Sequence, residues 1–225
     1  VPVARALAFD YILRNKKIWI GEGELIVGER GPEPKAVPTY PEVSLHSLED
    51  LEILNTRPKV SFKVDEETFV AYRDVVIPFW KGKSNREKLM NLMVEFWHKA
   101  YRAGIFTEFQ EQRAPGHTVA GGKIFRKGML DLIADIKVSR EKMDVYNDPQ
   151  AYEKLEELKA MEIAARALIH FAERHAAELE RRAQNETDSL RKAELLEMAA
   201  ISRRVPAHAP RTFHEALQHY WYIHL

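Results

Sequence analysis

At 225 residues, 45% of them hydrophobic, the chain is long enough to bury a core as one large domain or two small ones. Lysine plus arginine equal aspartate plus glutamate at 34 each, so no net field gathers nucleic acid, anionic lipid or acidic substrates. No apolar run approaches the roughly 20 residues that cross a bilayer, Val1-Pro2-Val3-Ala4-Arg5 has no secretion-signal character, and the absence of cysteine removes disulfides, thiolate metal sites and thiol nucleophiles from this stretch.

A cytoplasmic location without membrane or nucleic-acid partners is therefore expected. Val3, Leu7 and Tyr11, widened by Ala6, Phe9 and Leu13, predict a buried helix that stops near Asn15. Leu25-Ile26-Val27 lies between glycines and predicts a short strand or an extended segment. Residues 31–41 hold too many prolines for helix or central strand and read as an extended loop. Ser47 with Asp50 forms a capping box for a short helix, and Asp65-Glu66-Glu67 opens another that Ile77-Pro78 should end. From Ser84, one apolar face through Leu89, Leu92, Met93 and Phe96 predicts a helix that runs until Gly104 stops it.

A broken segment follows from Phe106 to Gly122. Lys127 to about Met143 is amphipathic through Met129, Leu132, Ile133 and Ile136. Asp148-Pro149 then starts a long helix to about Ala183, and another spans Thr187 to about Arg203. Thr212 and Glu215 box the last helix, which runs into Tyr220-Trp221-Tyr222-Ile223-His224-Leu225 as core or interface. An uncapped apolar ending leaves costly surface in water, so the sequence looks truncated. The fold class is mainly α with a few short strands. Without repeats or a flexible linker, it reads as one structural unit.

Nine histidines invite a metal site, but His214, His219 and His224 recur every five residues and spread around a helix, as do His170 and His175. A zinc pair needs i, i+4 alignment, so these are read as solvated or hydrogen-bonded side chains and no metal is expected. Gly121-Gly122 lacks a phosphate-loop pattern and reads as a turn. Glu108 and Glu111 read as solvated carboxylates. His117 differs, because Pro115-Gly116 directly before it turns the backbone and can aim the imidazole inward.

Around His117 the chain resembles the glycyl radical enzymes of the pyruvate formate-lyase-like group. Residues 111–119, Glu-Gln-Arg-Ala-Pro-Gly-His-Thr-Val, followed by Lys127-Gly128 and an amphipathic helix, carry the likeness. It extends through Glu24-Leu25-Ile26-Val27-Gly28-Glu29, Pro38-Thr39-Tyr40-Pro41-Glu42, Ile77-Pro78-Phe79-Trp80, Asn147-Asp148-Pro149 and residues 205–213. The resemblance implies the N-terminal part of a ten-stranded α/β barrel wrapped in helices, covering residues 1–225, with the glycyl radical domain absent. It implies a radical stored on a backbone glycine and relayed through a cysteine, neither of which this stretch contains. No catalytic residue is therefore expected in this chain, and no cofactor is bound by it. The implied partners are a small-molecule substrate, a radical S-adenosylmethionine activating enzyme and a second copy of the enzyme.

Two positions eight apart face the substrate in relatives, and here they are Phe109 and His117. Choline lyase-like members resemble tyrosine with aspartate there, and glycerol dehydratase-like members asparagine with histidine. Phenylalanine with histidine is similar to the trans-4-hydroxy-L-proline dehydratases, which implies ring packing by Phe109 and a hydrogen-bonding role at the departing hydroxyl for His117. Diol or glycerol dehydratase, isethionate sulfite-lyase and formate C-acetyltransferase remain alternatives. Outside enzymes, the alternative is a stand-alone helical binding module, which would fold as a monomer with a closed polar surface.

Overall fold

The structure, a computed structural model, describes residues 1–106 and 121–225. Among the described residues, ten α-helices follow in order: α1 (Pro2–Asn15), α2 (Leu48–Thr56), α3 (Glu66–Ala71), α4 (Ile77–Trp80), α5 (Asn85–Leu92), α6 (Glu95–Arg102), α7 (Met129–Glu141), α8 (Ala151–Asn185), α9 (Ser189–Arg204) and α10 (Phe213–His224). A π turn over Tyr72–Val76 joins α3 to α4, and a 3-10 turn over Gly121–Phe125 precedes α7. The chain forms two compact units, Val1–Pro32 with Thr118–Leu225, and Glu33–His117.

The first unit is organised on α8, whose 35 residues make a rod of about 50 Å at 1.5 Å per residue. Ala160, Ala165, Ala167, Ala172, Ala176 and Ala183 line its buried side, interrupted by Phe171, His175 and Leu179. Small side chains let neighbouring backbones approach closely, and α1, α7 and α9 all pack on this helix. Phe171 and Leu179 join Leu13, Ile20, Val27, Leu195, Met198 and Tyr222 in one core. The helix starts two residues later than Asp148-Pro149 suggests, although the Asp148 carboxylate still accepts from Gln150 N–H at 2.9 Å. On α1 the buried positions are Ala6 and Leu13, whereas Leu7, Phe9 and Tyr11 are exposed. Of the expected stripe, the widening positions Ala6 and Leu13 turn inward and Leu7, Phe9 and Tyr11 outward, because the surface of α8 accepts an alanine there.

No strand forms among the described residues, which corrects the few short strands of the expected fold class and removes the strand alternative at Leu25-Ile26-Val27. Side chains take the place of a strand partner. The Gln218 amide accepts from Val27 N–H and donates to Val27 O, both at 2.8 Å and both buried. Trp221 Nε1–H donates to Gly28 O at 2.8 Å, and His214 Nε2–H to Leu25 O at 2.7 Å. Arg182 reaches Ile20 O at 2.7 Å, Arg191 reaches Glu24 O at 3.0 Å, and Arg174 caps Leu13 O and Lys16 O at 2.5 and 2.7 Å. Buried backbone groups need partners, and here α8, α9 and α10 supply them to an irregular segment.

Gly128 fixes a second close approach. A Cβ there would lie 2.3 Å from Ala207 O and 2.4 Å from His208 Cα. The tight fit lets Met129 N–H donate to Pro206 O at 2.8 Å and Leu130 N–H to Ala207 O at 3.0 Å, using donors that the start of α7 cannot satisfy internally.

In the second unit, local signals explain most boundaries. Both halves of the Ser47 box are present, with Asp50 N–H on Ser47 Oγ at 3.1 Å and Ser47 N–H on Asp50 Oδ2 at 2.8 Å. Ser84 and Glu87 repeat the arrangement at the start of α5. Ile77-Pro78 does not end the helical path as expected: Ile77 N–H bonds Tyr72 O in a π turn and Pro78 sits in the first turn of α4, where its missing N–H costs nothing. The helix expected from Ser84 to Gly104 breaks at Met93-Val94 into α5 and α6, and Gly104 at φ +72° stops the second as expected. The core is small, with Leu51, Val64 and Tyr72 buried. An isolated parallel bridge joins Ala36 to Lys63.

Replacing Gln218 with leucine keeps the volume and strands two buried backbone groups, so the unfolding free energy should drop by roughly 2–5 kcal/mol in urea titration; a loss under about 0.5 kcal/mol would remove the amide from this role. Gly128→Ala should cost about 2 kcal/mol or more by the same measurement, since backbone rather than side chain must move.

Candidate functional site

Phe109 and His117, with Glu108 and Glu111, lie outside the described residues. The residues flanking that stretch are anchored in different ways. Before it, Phe106 packs edge-on to Trp97 at 5.5 Å between ring centroids and tilts against Tyr101 at 5.9 Å. Tyr101 in turn accepts from Arg86 at 3.1 Å. After it, Ile124 is buried in the 3-10 turn, and the Gly128 contact holds the start of α7.

The polar groups of the first unit are concentrated on α8 and α10. His175 and His219 are wholly buried: of the two readings expected for them, solvated or hydrogen-bonded, His175 takes the second, while the burial of His219 corrects its solvated reading. His175 Nδ1–H donates to Phe171 O at 2.9 Å, and its ring meets Phe171 edge-on at 4.4 Å and Tyr222 at 5.3 Å. Among the described residues, neither ring nitrogen of His219 finds a hydrogen-bond partner. Burial holds both imidazoles neutral, with pKa values lowered to about 4, opposed for His175 by its hydrogen bond to the Phe171 backbone. Tyr222 shares a 2.8 Å hydrogen bond with Ser202, and burial pushes its hydroxyl up.

Lys16 joins this layer from the end of α1. Its ammonium donates to Glu29 O at 2.5 Å and Arg30 O at 2.9 Å and lies 4.9 Å from the Phe171 ring centroid. Burial lowers its pKa to about 8, against the pull of Glu29. Lys16, Ser202 and Gln218 were not singled out by sequence reading. A usable signal existed for Gln218, a lone amide one helical turn before Tyr222 on an otherwise apolar face.

A cleft of about 730 Å³ is lined by Arg181, Arg182 and Arg191 together with Glu22, Glu186 and Asp188. Its cations are committed: Arg181 and Arg182 both bind Glu178, and Arg191 binds Glu194 at 2.7 Å. The Arg181 hydrogen bond leads in holding the Glu178 carboxyl at about 2. Such a cleft offers little to an anion. Among the described residues no group of three or more histidines and carboxylates is placed to hold a metal, and no helix is long and apolar enough to cross a membrane. His219 apart, the described side chains of the first unit therefore act as supports, with polar atoms spent on fixing backbone.

A family model described as pyruvate formate lyase-like matches residues 1–225. Trans-4-hydroxy-L-proline dehydratase of Clostridioides difficile is 45% identical over 225 residues, covering 100% of this chain and 28% of that relative. The crystal structure of hydroxyproline dehydratase from Clostridioides difficile with substrate trans-4-hydroxy-L-proline bound is similar at a TM-score of 0.93, over 99% of this chain and 28% of the other. The glycerol-bound glycerol dehydratase from Clostridium butyricum is similar at 0.83 with 31% identity, again over 99% of this chain and 28% of the other. The chain thus spans 28% of the length of these relatives.

The two buried histidines give stability a pH dependence of known sign. In the folded state each stays neutral down to about pH 4, while unfolded histidine takes up its proton near 6.5. Their contribution is full above pH 6.5 and is lost as pH falls through 4, at about 1.4 kcal/mol per pH unit for each group. Chemical denaturation at pH 7, 6, 5 and 4.5 should follow that decline, and His219→Leu should flatten it by about half. An unchanged slope in the variant would mean that His219 is protonated inside the fold.

Proposed function

This chain belongs to the pyruvate formate lyase-like family, and on that premise we propose that it is the N-terminal part of a glycyl radical dehydratase that removes water from trans-4-hydroxy-L-proline. One observation carries the substrate: identity to the hydroxyproline dehydratase is 45% at a TM-score of 0.93, against 31% and 0.83 for the glycerol enzyme, over the same 99% of the chain. Both comparisons cover the same share of the chain, so the difference reflects sequence and shape rather than coverage.

In this reading residues 1–225 are the front of a pyruvate formate-lyase-like domain, contributing outer helices and part of the pocket wall of a ten-stranded barrel. The glycyl radical and its cysteine relay belong to sequence beyond these residues and supply the hydrogen abstraction that starts the reaction. What this chain adds is substrate contact. Phe109 packs its ring on the pyrrolidine of the substrate, and His117 holds the departing hydroxyl and delivers the proton with which it leaves as water. Phenylalanine offers no hydrogen bond to a second hydroxyl, so a linear polyol gains less from this pair than a cyclic substrate does. Activation by a radical S-adenosylmethionine enzyme, assembly as a homodimer and a cytoplasmic setting complete the proposal.

The test is turnover by the full-length protein after anaerobic activation, with trans-4-hydroxy-L-proline offered beside glycerol, propane-1,2-diol, isethionate, and pyruvate with coenzyme A. Hydroxyproline should be consumed, and His117→Ala should lower kcat by about 10²-fold or more, as expected for loss of a positioned acid. Phe109→Ala should act mainly through KM. Consumption of another substrate in its place would keep the family and discard the dehydration of hydroxyproline.

A further inference from the structure

Three polar side chains lie on the buried face of α10, and two of them are spent on the frame. Gln218 grips Val27 from both sides, and Tyr222 shares its hydroxyl with Ser202. His219, 0% exposed, differs from both: among the described residues neither of its nitrogens has a hydrogen-bond partner. A buried imidazole in that state is costly, and it calls for a role that the frame does not supply. Its surroundings name one. α10 packs on the 3-10 turn Gly121–Phe125, and the group that draws a proton to the ring is the backbone of Ile124, which the imidazole faces without closing a hydrogen bond. Ile124 is itself buried, and Gly128 beyond it is seated against Ala207 and His208, with Met129 N–H on Pro206 O. The turn is therefore held by the α9–α10 link and by α10, and it is the first described element after His117 in the chain.

We propose that His219 is a positioning residue for His117: in the substrate-loaded enzyme its imidazole N–H donates to the Ile124 carbonyl and so fixes the turn from which the substrate-contacting stretch departs. The inference rests on the proposed function, which gives His117 its place at the departing hydroxyl. Hydrogen bonds that serve catalysis are often long in the free protein and close only when substrate is held. Burial suits the task, because a neutral imidazole carries one N–H, enough for one carbonyl, and brings no charge near a proton donor. An error of about 1 Å in the aim of an acid costs up to about 10²-fold in rate, so a group that never meets substrate can govern kcat through the turn.

The test is a double-mutant cycle in the full-length protein after anaerobic activation, on the substrate that the turnover assay identifies. Rates are divided by the glycyl radical content read by electron paramagnetic resonance. In the parent background His219→Leu should lower kcat by about tenfold or more, with KM changed by less than about threefold. In the His117→Ala background the same substitution should change the residual kcat by less than about twofold, because the acid it would aim is gone. His219→Gln, which keeps a side-chain N–H, should recover most of the loss. Equal fold losses in both backgrounds overturn the inference and leave His219 a structural group. So does a kcat that His219→Leu leaves unchanged, or a glutamine variant as slow as the leucine one. If the leucine variant does not fold, His219→Met takes its place in the same cycle. A His117→Ala substitution that costs nothing defeats the proposed role of His117 and this inference with it, so the two failures are read from different arms of the cycle.

Discussion

The first unit depends on one constraint: an irregular backbone segment packs along its helices and enters the core at Ile20, Val27 and Gly28, and every buried amide and carbonyl there needs a partner. A sheet would supply these partners by repetition. Here they come singly, from Gln218, Trp221, Arg174, Arg182 and Arg191, each reaching from a helix to a named backbone atom. Since α8, α9 and α10 contribute together, their mutual packing and the path of residues 13–28 define each other. Removing one helix would leave polar groups stranded in the core, at a cost well above that of the lost apolar contacts alone.

The same logic separates support from chemistry. Groups that would attract attention in an active site, the neutral His175, a partly buried lysine and three arginines beside a cleft, are occupied with structure. Their shifts in ionisation arise from burial and from neighbouring guanidinium groups, in places where no metal cluster is assembled among the described residues. Perturbed ionisation marks functional sites only in combination with geometry. In this molecule the geometry assigns those groups to the helical frame of the first unit.

Helix existence and helix caps were readable from the residues, because a cap is decided by neighbours within four positions. Ser47 with Asp50, Ser84 and Gly104 all behave as their chemistry requires. Burial was less legible. The exposed Leu7 and Tyr11 and the buried Ala6 on α1 follow from the alanine surface of α8, which lies about 160 residues away in sequence. The choice between strand and extended segment at Leu25-Ile26-Val27 was open for a related reason: β-branched residues between glycines indicate an extended path, and nothing local says whether a strand or a glutamine will pair with it. The π turn before Pro78 likewise depends on how the next turn closes. For the site itself, the motif around His117 carried the family, while Phe109 and His117 lie outside the described residues.

Pairing by single side chains has an evolutionary consequence. A strand ladder can slip by two residues and restore most of its bonds, but one amide gripping Val27 on both sides has a single register. Between the anchored carbonyls of Ile20 and Glu24, the Gly21–Gly23 bend is held at its ends, with Gly23 at φ +70° and open space around it. Insertions and deletions can therefore accumulate in that bend without shifting the clamp, whereas a one-residue change between Glu24 and Val27 displaces the whole interior. Length variation among relatives should concentrate on one side of Glu24 and be missing from the other.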